Sequence, residues 1–161
     1  MLDDHAAGYP DPAHLEDAHL EDAHLEDAVE VAASLVAVAV AEGHPVRLLS
    51  SSGAVDVELP AGAVDADAAV VLTALADLTA VAGEPVARSV PVRDLDVVEV
   101  VCGASSDLSA SALEAGRASV GVVLVVDPGA GRAVSAIGSV PVLRAAAAEG
   151  LLDAWNAVVS R

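Results

Sequence analysis

The sequence predicts a three-layer α/β domain, with a mostly parallel, Val-rich sheet wrapped by helices and one antiparallel hairpin at its edge. Three observations carry this expectation. The runs Val97–Val101 and Val120–Val126 are almost continuously apolar, as in strands buried on both faces. Segments with helical spacing of apolar residues alternate with these runs along the chain. The 161 residues, 55% of them hydrophobic, suffice for one buried core.

The elements follow in order. Residues 1–26 read as an acidic, low-complexity leader and 27–161 as the α/β domain. The first thirteen residues, with Gly8, Pro10 and Pro12, read as disordered. Between residues 14 and 28 the pentapeptide His-Leu-Glu-Asp-Ala then occurs three times. Five residues advance a helix by about 500°, so each repeat is turned about 140° from the last. Leu15, Leu20 and Leu25 therefore cannot share a helix face, and the repeat reads as a solvated helical extension.

From Asp27 the pattern is that of a packed helix, with Val31, Leu35, Val38 and Ala39 at helical spacing and Gly43 as the stop. Pro45–Leu49 reads as a strand, Ser50–Gly53 as the turn after it, and Val55–Leu59 as an exposed antiparallel edge strand. A helix capped by Asp65 is expected to run to Gly83, followed by a Pro/Arg connection over 84–94. The strand Val97–Val101, a helix near 109–117 and the strand Val120–Val126 come next. Asp127-Pro128-Gly129 closes that strand, and a weaker strand, 140–143, and a helix, 151–159, complete the fold.

Composition narrows the function. The formal charge is −18, from 25 acids, seven arginines and no lysine, and ten of the acids fall in residues 1–30. Such a surface repels phosphate backbones and anionic lipid, which argues against nucleic-acid binding. With no Phe, one Tyr and one Trp, base stacking and aromatic cages have nothing to build on. A single cysteine, Cys102, cannot form an internal disulfide and fits a reducing, cytoplasmic setting. No apolar stretch reaches the roughly 20 residues that span a bilayer, so membrane insertion is not expected.

Four candidate sites deserve weighing. Asp107, Ser109 and Ser111 form an Asp-x-Ser-x-Ser pattern whose hard oxygens suit Mg²⁺, and Asp127 ends the following strand. The same letters also suit a helix start, with Ser109 as N-cap and a Ser111–Glu114 capping box. Cys102 as a nucleophile would need His44 as base, but the two fall at opposite ends of a parallel sheet. Gly129-Ala130-Gly131 lacks the third glycine of a dinucleotide loop, Val134 standing in its place. His14, His19 and His24 lack the spacing that would put two ligands on one helix face.

Two stretches carry a family resemblance: Ala28–Leu35 running on through Glu42–Leu49, and the C-terminal Leu151-Leu152-Asp153-Ala154-Trp155. Over roughly residues 27–158 the chain resembles the C-terminal region of the bacterial domain-of-unknown-function 58 proteins. That resemblance implies a von Willebrand A-like fold, association with a MoxR-type AAA+ ATPase, and an adaptor role in assembling or maturing other proteins. In that family a first, central strand with its metal loop precedes this helix. Here the pentapeptide repeats stand in that place, and the Asp-x-Ser-x-Ser at 107–111 lies between later strands. The resemblance therefore implies a truncated sheet and transfers no functional residue. Strands 46–50 and 97–101 are then expected to pair directly or to leave a gap for a partner.

The expected function is a non-catalytic protein-interaction module without catalytic residues, cofactor or resident metal. Its contact surfaces would be the hairpin edge and the acidic leader. The alternative is a divalent-metal-dependent ligand-binding domain using Asp107, Ser109, Ser111 and Asp127.

Overall fold

The computed structural model describes residues 1–9, 18–82 and 97–159. It is an α/β fold with a mixed, mostly parallel sheet and a small antiparallel hairpin. The elements are α1 (Ala18–Ala41), β1 (Val46–Leu49), β2 (Asp56–Leu59), α2 (Asp65–Ala76), β3 (Val97–Gly103), α3 (Leu108–Ala115), β4 (Val120–Val126), β5 (Ala133–Ile137), β6 (Val140–Ala145) and α4 (Ala148–Val159).

Four strands lie in the order β3-β4-β6-β5, parallel except for β5, which is antiparallel to β6. Central β4 shows why its sequence is apolar at nearly every position. Val122, Leu124 and Val126 enter the cluster under α1, α2 and α4, while Val123 and Val125 enter the cluster under α3. A period of two across a sheet covered on both sides demands apolar residues at odd and even positions alike. Each such side chain contributes about 1.5–3 kcal/mol on burial. Gly121 is needed beside α3, because a Cβ there would sit 2.2 Å from the Ala115 carbonyl oxygen.

β1 and β2 form the expected antiparallel hairpin, Val46 opposite Leu59 and Leu49 opposite Asp56. What joins it to the other strands corrects the sequence reading. Residues 1–9, expected to be disordered, are packed into the sheet. Leu2 forms parallel bridges to Ser50 on one side and Val101 on the other. Its N–H donates to the Leu49 carbonyl, its carbonyl accepts from Ser51, and the N–H of Asp3 donates to the Val101 carbonyl. The gap foreseen between the strands at 46–50 and 97–101 is thus filled by the chain's own first residues. Burial is the reason: Leu2 is fully buried and Tyr9 nearly so.

Other differences have local causes. The pentapeptide repeat is helical from Ala18, as read from the sequence, and runs without a break into the packed helix from Asp27, but it is not wholly solvated, since Leu25 enters the core. β3 continues to Gly103, and β5, which was not foreseen, precedes β6. α2 begins after Val64, whose N–H donates to the Asp67 carboxylate, and it stops at Ala76. Gly83, the 84–94 connection and residues 10–17 lie outside the described residues. Gly43 does end α1, with φ of 78°. No helix among the described residues is long and apolar enough to cross a membrane.

Candidate functional site at the carboxyl edge of the sheet

The first segment of the chain, centred on Leu2, runs parallel to β1 and β3 and lies between them. From it the chain passes through α1 to β1 on one side, and later reaches β3 on the other. This reversal is the topological switch point at which open α/β sheets leave a crevice beyond the strand ends. Three polar stretches meet there: Asp3-Asp4-His5 after the first segment, Ser50-Ser51-Ser52 after β1, and Ser106 after β3.

Their hydrogen bonds form one network. Asp3 accepts from the Ser51 hydroxyl at 2.8 Å and from the Ser106 hydroxyl at 2.6 Å. Asp4 is fully buried and accepts from the Ser52 N–H at 2.8 Å and from the Ser52 hydroxyl, and the Ser51 hydroxyl, whose single proton it shares with Asp3, lies 2.8 Å away. His5 places Nδ1 2.8 Å from the Ser51 hydroxyl and 3.2 Å from Asp3. The Tyr9 hydroxyl donates to the Asp3 carbonyl at 2.5 Å and closes the base of the cluster. A second clip comes from Val81, which donates to the Asp4 carbonyl and accepts from the N–H of Ala6.

These contacts set the charge state of the site. Burial pushes the Asp4 carboxyl up, but donors from Ser52, Ser51 and Ser50 more than offset it and hold it below the ordinary carboxylate range. Burial raises the Tyr9 hydroxyl well above the usual phenol value, with the Asp3 charge adding to the effect. The result is a pair of adjacent carboxylates supported by hydroxyl groups. Asp3, Asp4 and His5 offer ligand atoms that all lie within 4.8 Å of one another.

The residues singled out by sequence have other tasks. Asp107 caps α3, accepting from the N–H groups of Ser109 and Ala110 at 3.0 and 3.1 Å, so Asp107 rather than Ser109 is the N-cap. Ser111 is buried in α3, and its hydroxyl interacts with Cys102. Asp127 receives Arg144 at 2.5 Å and the Gly129 N–H at 3.1 Å. Gly129 and Gly131 lie in a connection leading into a strand, not a helix, which removes the dinucleotide reading. Cys102 is fully buried near the end of β3, and burial pushes its thiol up to about 12. His44 precedes β1, at the other end of the sheet. Of the repeat histidines, His14 lies outside the described residues, and His24 sits half-buried on α1.

The sequence did contain a signal for the cluster. Leu2-Asp3-Asp4 is an apolar-to-acidic step, Ser50-Ser51-Ser52 directly follows β1, and Ser105-Ser106 follows β3 after one residue. What hid it was reading residues 1–13 as outside the fold.

A second feature lies on the helices. α2 is apolar on more than its core face. Ala68, Val71 and Leu75 are buried, yet Val70 is 61% and Leu72 38% exposed, and Val64 just ahead of the helix is 60% exposed. A groove of about 410 Å³ runs between α1 and α2, lined by Leu25, Val29, Leu75 and Leu78 with Glu26 and Glu30 beside them. No family model, curated protein or solved structure matches the chain.

Proposed function

We propose that the chain is a non-catalytic protein-interaction domain, an adaptor whose partner class is the MoxR-type AAA+ ATPase named by the family resemblance. The observation that supports it best is the exposure of apolar residues of α2 outside its core face, Val70 above all, with Leu72 on the opposite flank of the helix. A helix apolar all round belongs in an interior or an interface. Val64, Val70 and Leu72 are instead exposed, bordered in sequence by Asp65, Asp67 and Asp77. A partner with an apolar spot ringed by Arg and Lys fits that pattern. Titration of the purified ATPase tests it. Val70→Glu is expected to weaken binding at least about tenfold, as loss of an apolar contact at an interface does. Its melting temperature should hold, because the side chain is already in water. Unchanged binding by Val70→Glu, or no binding by the wild type, overturns the reading.

One observation favours a second reading, cation-dependent ligand binding. The chemistry is that considered for Asp107, Ser109, Ser111 and Asp127, but the clustering favours Asp3, Asp4 and His5. Mg²⁺ or Mn²⁺ at about 100 times its Kd would stabilise the fold by about 2.7 kcal/mol. Asp3→Asn should abolish that shift and Asp107→Asn should leave it; the reverse result returns the site to the 107–111 loop. Absence of any shift removes the reading.

A further inference from the structure

The two ends of the sheet are defended differently. On the β1–β2 side the outermost strand carries Asp56 and Glu58, and Arg47 reaches across to Asp56 at 3.1 Å. Charges of this kind keep an edge strand from pairing with another chain. β5 ends the other side of the sheet and has no such device. It reads Ala133-Val134-Ser135-Ala136-Ile137, with no charge, no proline and a one-to-one register against β6 from end to end. Four of its five residues are exposed, Val134 to 56%, and among the described residues nothing pairs with its outer side.

The register shows which backbone groups face outward. Ala136 lies opposite Pro141, which has no N–H, so that pair cannot exchange two hydrogen bonds. The alternation then makes Ala133, Ser135 and Ile137 the residues bonded to β6. Val134 and Ala136 direct their N–H and C=O groups to the open edge.

Charge selects the occupant. Between Asp127 and Glu149 the sequence contains no acid, and its two cations are each faced by a carboxylate, Arg132 by Asp153 at 3.8 Å and Arg144 by Asp127 at 2.5 Å, so this part of a chain of formal charge −18 is near neutral. Two copies repel one another over most of their surfaces and can approach most closely here. Pairing the same strand with itself closes after two copies, whereas pairing β5 with the acidic β2 edge would propagate into an open filament.

We propose that β5 is a self-association strand, pairing antiparallel with β5 of a second copy about a two-fold axis through Ser135. In that register Val134 of each copy exchanges hydrogen bonds with Ala136 of the other. The two Ser135 residues stand opposite one another, and all five residues overlap. The two sheets become one.

Sedimentation equilibrium of the full chain tests this. A monomer–dimer equilibrium is expected, strengthened by salt as the like charges are screened. Val134→Pro removes an outward N–H and no bond to β6. It deletes two hydrogen bonds per dimer and should weaken association at least about tenfold, with the melting temperature of the monomer kept. Independently, Ser135→Cys should give a disulfide-linked dimer on mild oxidation, because the native Cys102 is buried. If Val134→Pro disrupts the hairpin, the Ser135→Cys cross-link decides alone. A wild type that stays monomeric at all concentrations overturns the proposal. So does a Val134→Pro variant that dimerises as well as the wild type, or a Ser135→Cys variant that does not cross-link.

Discussion

A Cβ placed on Gly103 would lie 2.0 Å from the carbonyl oxygen of Gly8. The last residue of β3 and the turn after the first segment are thus in backbone-to-backbone contact, and the Gly8 carbonyl also accepts the N–H of Ser105 at 3.1 Å. The obstacle is main chain and Tyr9 ring, not the far end of a flexible side chain, so nothing nearby can swing away. Gly103→Ala is expected to cost about 3 kcal/mol, at the upper end of ordinary overpacking. Gly131→Ala meets nothing within 4 Å and serves as the control, expected within about 0.5 kcal/mol of wild type. Urea midpoints at constant m-value measure both. Equal midpoints for Gly103→Ala and wild type would show that the first segment does not pack where it is placed.

Asp4 gives the fold a defined response to acid. Its folded value lies below its ordinary one, so the stabilisation is fully present above the ordinary carboxylate value and is lost as pH falls through the folded value. Asp4→Asn replaces an acceptor by a group that turns a donor toward the Ser52 N–H or hydroxyl. The variant should lose about 2–3 kcal/mol at neutral pH, the cost of unmatched buried partners. The gap between it and wild type should narrow below about pH 4, where the unfolded carboxyl takes up its proton before the folded one does. A gap independent of pH would show that Asp4 is not ionised in the folded protein.

The layered Val-rich sheet was legible because burial on both faces leaves a pattern in β3 and β4 that needs no context. The site was not. Its three parts lie about fifty residues apart in the chain (Asp3, Ser51 and Ser106), and no local period connects them. Leu2 to Tyr9 resembles a leader in composition, with Gly8 and two aspartates, and only long-range pairing with Leu49 and Val101 makes it part of the sheet. β5 was missed for a related reason. Ala133 to Ile137 is short and mostly exposed, so it lacks the apolar alternation that marks strands with a buried face. The Asp107–Ser111 pattern was legible as letters, but the same letters also start a helix, and Asp107 does that here.

Cys102 tests the environment on the α3 face. Burial raises its thiol from the ordinary 9.0 to about 12, while the Ser111 and Ser106 hydroxyls pull it back in part. At neutral pH the native thiolate population should be about a thousandfold below that of the unfolded chain, so alkylation should proceed only through opening of the structure. A raised thiol value also means that stability is full below about pH 9 and declines as pH rises from there toward 12. Labelling rates in native buffer and in urea measure the first, and alkaline melting curves the second. Native labelling as fast as denatured labelling would restore Cys102 as a reactive group.

Leu2 tests how the two halves of the sheet are held together. It is fully buried, and its backbone bonds to Leu49 and Ser51 on the hairpin side, while its neighbours Met1 and Asp3 bond to Val101. Leu2→Ala removes buried methyl groups at the junction and should cost about 2–5 kcal/mol. The loss should be uneven. β4 is paired on both sides by β3 and β6, whereas the hairpin β1–β2 depends on the first segment for its connection to β3. Hydrogen exchange should therefore show the amides of 46–59 opening at lower free energy in the variant, with 120–126 retaining the protection set by global unfolding. Equal loss across both regions would mean that Leu2 stabilises the core as a whole and does not tie the hairpin to it.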